Sequence, residues 1–109
     1  MDRPEWGGVN PRTGDFYMTL TNNSNRTMDG DMGVDAANPR YYSDMKGSTE
    51  NKGNPNGHII RIAEFGGEAA ATSFNWDIYL FGAESTASTA GVNLSNLSAD
   101  QDFSSPDGL

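Results

Sequence analysis

The chain has 109 residues, 15 acidic against 7 basic, for a formal net charge of −8, so it lacks the clustered cations that neutralise nucleic-acid phosphates. It contains no cysteine, which excludes disulfides and thiolate metal sites within these residues. Only 35% of residues are hydrophobic and 13 are glycine, a poor basis for a self-sufficient apolar core at this length.

Residues 7 to 21 read as a β-hairpin. Its turn is "NPRTG", Asn10 to Gly14, where Pro11 presets a turn φ and Gly14 permits closure. Beyond it Phe16, Met18 and Leu20 alternate with Tyr17, Thr19 and Thr21, the period of a half-buried strand. Residues 22 to 57 lose all periodicity and are dense in Asn, Gly, Asp and Ser, which predicts one long inserted loop. Within it Tyr41 and Tyr42 are placed to anchor the loop against the body. Asp29, Asp31 and Asp35 lack the twelfth-position glutamate and flanking helices of a calcium-binding hand, and read as a surface loop.

Alternation returns in "GHIIRIAEF", a strand over 58–64, and again in "FNWDIYLFG", a strand over 74–81. The second is expected to set Phe74, Trp76, Ile78 and Leu80 on one face, with Trp76 in the core. His58, the only histidine, sits in an alternating strand beside glycine and reads as a packed, hydrogen-bonded residue rather than a catalytic one. Residues 82 to 101 are small and polar. No stretch approaches the roughly 20 apolar residues of a membrane helix, and no export signal is visible.

Two steps stand out: Arg3-Pro4-Glu5 near the start, and Pro106-Asp107 near the end. Their likeness predicts a repeat, with Glu5 and Asp107 at equivalent strand entrances and residues 102–109 opening the next unit. The chain then reads as an all-β internal fragment, about one to two blades of a β-propeller with long inserted loops, whose innermost strands carry carboxylates toward a shared axis. Arg3 and Glu5, two apart in an extended strand, point to the same side. Pro4 fixes their relation. The plain account is an ion pair at a strand end. The functional one is a guanidinium that grips an oxyanion beside a carboxylate that holds a hard cation such as Ca²⁺. Asp107 is equally a turn aspartate before glycine.

Five segments in order, "MDRPEWGGVNPRTGDFYMTLTNNSNR", "ANPRYYSD", "NGHIIRIAE", "FNWDIYLFGA" and "FSSPDGL", resemble the PhoX-type alkaline phosphatases. The resemblance omits only 27–35 and 84–102. It implies a calcium-dependent hydrolase of phosphate monoesters, with Ca²⁺ and Fe³⁺ at the centre of a propeller. It also implies twin-arginine export to the periplasm or beyond, a monomer when complete, and neither a nucleic-acid nor a membrane partner. The roles it carries over are phosphate binding for Arg3 and metal ligation for Glu5 and Asp107; the family's bridging cysteine has no counterpart here. By itself the segment is expected to be inactive. The competing readings are a non-catalytic calcium-binding propeller module and an ester or lactone hydrolase resembling regucalcin.

Overall fold

The computed structural model describes residues 1–109. Six strands form: β1 (Pro4–Val9), β2 (Phe16–Leu20), β3 (Tyr42–Lys46), β4 (Thr49–Gly53), β5 (His58–Glu64) and β6 (Phe74–Phe81). Four of them make one antiparallel sheet in the order β1-β2-β5-β6, and β3-β4 form a separate hairpin. The protein is all-β, and its main sheet is the four-stranded antiparallel unit from which propellers are built.

The first hairpin closes where turn chemistry predicts. The Asn10 carbonyl accepts from Gly14 N–H at 2.8 Å, and the Asn10 side chain accepts from Arg12 N–H at 2.9 Å. The hairpin starts earlier than residue 7, however. Pro4 already pairs with Leu20, and Glu5 is skipped in a β-bulge between Pro4 and Trp6. Thr19 spans that bulge, its hydroxyl accepting from Trp6 N–H at 3.0 Å. The Arg-Pro-Glu step therefore lies at and inside the strand rather than ahead of it.

The segment 22–57 is not one loop. It carries the β3-β4 hairpin, turned by Gly47-Ser48 with Gly47 at φ 67°. A two-residue turn led by glycine matches strand twist, but β3 and β4 are polar on both faces, so no hydrophobic alternation betrays them. Lys46 ties this hairpin to the end of the chain, its ammonium donating to the Ser104 hydroxyl at 2.8 Å and the Pro55 carbonyl at 3.1 Å. Asp35 caps its own turn by accepting from Asn38 N–H at 2.8 Å.

Apolar burial is thin. Leu20, Ile59, Ile60, Ala83 and Leu97 are the buried hydrophobic residues, whereas eleven polar or charged residues are buried. Trp76 does not join the core. It is 48% exposed, as Phe74 is 58% exposed, because β6 is an edge strand with an uncovered face. The register shift opposite Ile59/Ile60 also breaks the strict alternation expected of β6. Across β5 and β6, Arg61 donates twice to Asp77, at 3.1 and 2.7 Å. That pair is exposed and contributes little to stability.

Candidate functional site

Arg3, Glu5 and Asp107 lie at one end of the main sheet, and the backbone explains why. Arg3 N–H donates to the Asn22 carbonyl at 3.2 Å, and the Arg3 carbonyl accepts from Thr21 N–H at 2.8 Å. The same Thr21 donates its hydroxyl to the Pro106 carbonyl at 3.1 Å. One buried threonine thus fastens the Arg3-Pro4-Glu5 step and the Pro106-Asp107 step. The second step is held further by Asn56, whose carbonyl accepts from Ser105 N–H at 2.9 Å and whose side-chain oxygen accepts from the Ser104 hydroxyl at 2.7 Å. Through these bonds the two steps are neighbours.

The Arg3 guanidinium stands out from the sheet with its side chain 66% exposed, and donates to Glu5 Oε1 at 3.1 Å. The two side chains do share a side, as their spacing predicts. The other Glu5 carboxylate oxygen has no protein donor, and the Asp107 side chain is exposed without a hydrogen-bond partner. Hard carboxylate oxygens of this kind suit Ca²⁺, which takes six to eight of them. No three acidic or histidine side chains of this chain converge, so these residues by themselves do not form a complete cation shell.

Directly beneath lies a buried polar network that the sequence does not announce. Asp2, 1% exposed, accepts three amides: Asn54 at 2.6 Å on one oxygen, and Asn23 at 2.9 Å and Asn38 at 3.1 Å on the other. Burial pushes the Asp2 carboxyl up, but the amides of Asn54, Asn23 and Asn38 outweigh it and hold it below its ordinary value. Asn54 connects Asp2 to Arg40. The Arg40 guanidinium donates to Asn54 Oδ1 and the Gly57 carbonyl at 2.6 Å each, and to the Gly82 and Val92 carbonyls at 2.7 and 2.8 Å. It lies over the rings of Tyr42 and Phe81, at 5.1 and 4.7 Å. The Tyr42 hydroxyl in turn accepts from the Asn56 amide at 2.9 Å, a bond within the 22–57 segment. Gly57 sits at φ 67°, and any side chain there would strike the Leu20 and Thr21 carbonyls.

The network also fixes the state of His58. Arg40 only donates, so Asn54 must turn its oxygen to Arg40 and its amide to Asp2 and to His58 Nδ1, 3.0 Å away. Nδ1 is therefore an acceptor, and the ring is neutral with its proton on Nε2. Burial lowers the His58 pKa to about 4, and the positive charges of Arg40 and Arg26 act the same way against Asp2. His58 is a packed histidine, as its setting in the strand suggests.

An acid-sensitive stability follows. Between the ordinary 6.5 and about 4 the unfolded chain binds the His58 proton and the folded one does not. Stability contributed by the neutral ring is full above that window and is lost as pH falls through it, about 3 kcal/mol in all. Protonation of Asp2 below its lowered value adds loss in the same direction. Urea unfolding at pH 7.5 and pH 4.5 is expected to show this drop, and His58→Gln to flatten it; an unchanged slope in the variant would refute the assignment.

The family described as alkaline phosphatase PhoX matches residues 1–109. Among solved structures, the chain is similar to Pseudomonas fluorescens PhoX in complex with vanadate, a transition-state analogue, at 32% identity and a TM-score of 0.76. That alignment covers 100% of this chain and 17% of that one, so the chain spans about a sixth of its relative's length. Curated proteins give no match.

Proposed function

The chain belongs to the PhoX alkaline phosphatase family, and we propose that it forms part of a metal-dependent enzyme hydrolysing phosphate monoesters at the centre of a β-propeller. One observation carries this reading. An exposed arginine is held at both backbone polar groups, beside a carboxylate with a free oxygen, in a segment matched from end to end by a phosphatase of the same family.

In this reading Arg3 binds and orients the phosphate. A guanidinium donates in a planar fork to two oxyanion oxygens and stays charged at any working pH. Pro4 and the bulge hold its backbone still, so the side chain alone must be ordered when substrate arrives. Phosphate competes with Glu5 for Arg3, and releasing Glu5 frees both its oxygens for a cation. Glu5 and Asp107 would hold Ca²⁺ with ligands from elsewhere in the enzyme, and Fe³⁺ belongs to the same centre. When bound, such cations polarise the phosphoryl group and neutralise charge that develops on it. The enzyme is exported by the twin-arginine route to the periplasm or the cell exterior. A calcium module without catalysis would have no use for an exposed guanidinium at this spot.

The test is phosphate release from p-nitrophenyl phosphate by the complete protein. Release is expected with calcium, a fall to less than about a tenth after chelation with EGTA, and recovery when calcium is returned. No release under any metal condition would overturn the phosphatase reading in favour of the binding module.

A further inference from the structure

We propose that Asp2 is the positioning residue for the phosphate-binding arginine, tying the direction of Arg3 to the packing of the loop and hairpin between residues 22 and 57. The proposal rests on the reading of Arg3 as the phosphate ligand.

Asp2 and Arg3 are consecutive, and the Arg3 backbone bonds to Asn22 and Thr21 as a strand residue would, so one side chain points in while the other points out. The burial follows that rule, with Asp2 at 1% exposure and the Arg3 side chain at 66%. Any rotation that moves Asp2 must therefore move Arg3. The Asp2 carboxylate is gripped from three separate places: Asn23 just after β2, Asn38 ahead of β3, and Asn54 just after β4. Such an arrangement over-determines one carboxylate. Its oxygens accept three bonds, with His58 Nδ1 at 3.7 Å and Arg26 Nε at 4.0 Å completing the surroundings.

An asparagine in its place would present an amide to at least one of these donors, and the cluster would have to rearrange. Stability alone does not account for the placement. An acceptor reaching this point from another segment would satisfy these amides equally well, but this one is bonded through a single peptide link to the residue meant to meet substrate. Displacement of about 1 Å at such a residue costs on the order of a hundredfold in rate.

The experiment compares three variants of the complete phosphatase at a temperature where each is folded: Asp2→Asn, Leu97→Ala as a core lesion away from the site, and Arg3→Ala. Each is measured for KM and kcat on p-nitrophenyl phosphate, competitive inhibition by inorganic phosphate, and thermal midpoint. Asp2→Asn is expected to raise KM and the phosphate inhibition constant at least about tenfold, partway to the effect of Arg3→Ala. Leu97→Ala is expected to lower the thermal midpoint with KM unchanged. Should Asp2→Asn fail to fold, Asn38→Ala removes one of the three amides and is expected to shift KM and phosphate inhibition severalfold in the same direction.

A variant of Asp2 or Asn38 that loses thermal stability while keeping wild-type KM and phosphate inhibition would reduce Asp2 to a structural residue, overturning the proposal alone. Unchanged phosphate inhibition in Arg3→Ala would overturn it together with the phosphatase role of Arg3.

Discussion

Arg40→Ala is expected to cost about 5 kcal/mol of stability, enough to leave the protein unfolded or aggregated at ordinary temperatures. The guanidinium makes four hydrogen bonds, three of them buried, to the Gly57 and Gly82 carbonyls and Asn54 Oδ1, and one part-buried, to the Val92 carbonyl. Truncation leaves those acceptors facing a cavity between the Tyr42 and Phe81 rings. Each unsatisfied buried acceptor costs about 1–3 kcal/mol. Gly57 is partly compensated, since its carbonyl also accepts from Gly82 N–H at 2.9 Å.

The loss would spread, because Asn54, freed from Arg40, no longer has a fixed orientation toward Asp2 and His58. Arg40→Lys should recover only part of the stability, since one ammonium cannot serve four acceptors set around a planar fork. The check is equilibrium denaturation of both variants in the complete protein. A loss below about 1 kcal/mol for the alanine variant would mean that water replaces the guanidinium freely and that the site is not closed.

The contrast between this network and the strands around it explains what could be read from the sequence. β5 and β6 were legible because Ile60, Ile62 and their neighbours alternate over seven or eight residues. The first turn was legible because "NPRTG" is local chemistry. Local signals fail where the same residue types play two parts. Asn23, Asn38, Asn54 and Asn56 look like turn residues, and all four do stand in or next to turns. Their side chains nevertheless supply the hydrogen bonds of the interior, to partners as far as 52 residues away.

No period marks such a core. β3 and β4 were hidden for a related reason, being strands with polar residues on both faces. The nearest thing to a signal for Arg40 was its place between Pro39 and the Tyr41-Tyr42 pair, a cation set beside aromatic rings. Trp76 misled in the opposite sense, because alternation assigns a face but not whether anything covers it. At the candidate site, spacing in the sequence predicted that Arg3 and Glu5 share a side, and the family resemblance implied roles for them. Neither revealed that Thr21 and Asp2 hold them.

A second arginine separates function from folding. Arg3→Ala is expected to reduce kcat/KM for p-nitrophenyl phosphate by about a hundredfold or more, the scale of losing one charged donor to a transition-state oxyanion. The same change should alter stability by less than about 0.5 kcal/mol, since the side chain is 66% exposed and its one partner is the half-exposed Glu5. Arg3→Lys tests geometry against charge. An ammonium keeps the positive field but not the paired donors, so it should restore some activity, with weaker inhibition by phosphate and vanadate than in the wild type.

Glu5 gives the argument its second handle. Removing Arg3 leaves the Glu5 carboxylate without its donor, so the calcium concentration for half-maximal residual activity should fall or stay level, never rise. Were Arg3 only the ion-pair partner that keeps Glu5 in place for the metal, its loss would raise that calcium requirement, and added calcium would rescue the rate. Rescue by calcium would thus transfer the role from phosphate to metal; a loss that no calcium concentration repairs, with phosphate inhibition gone, would leave Arg3 as the residue that meets the substrate.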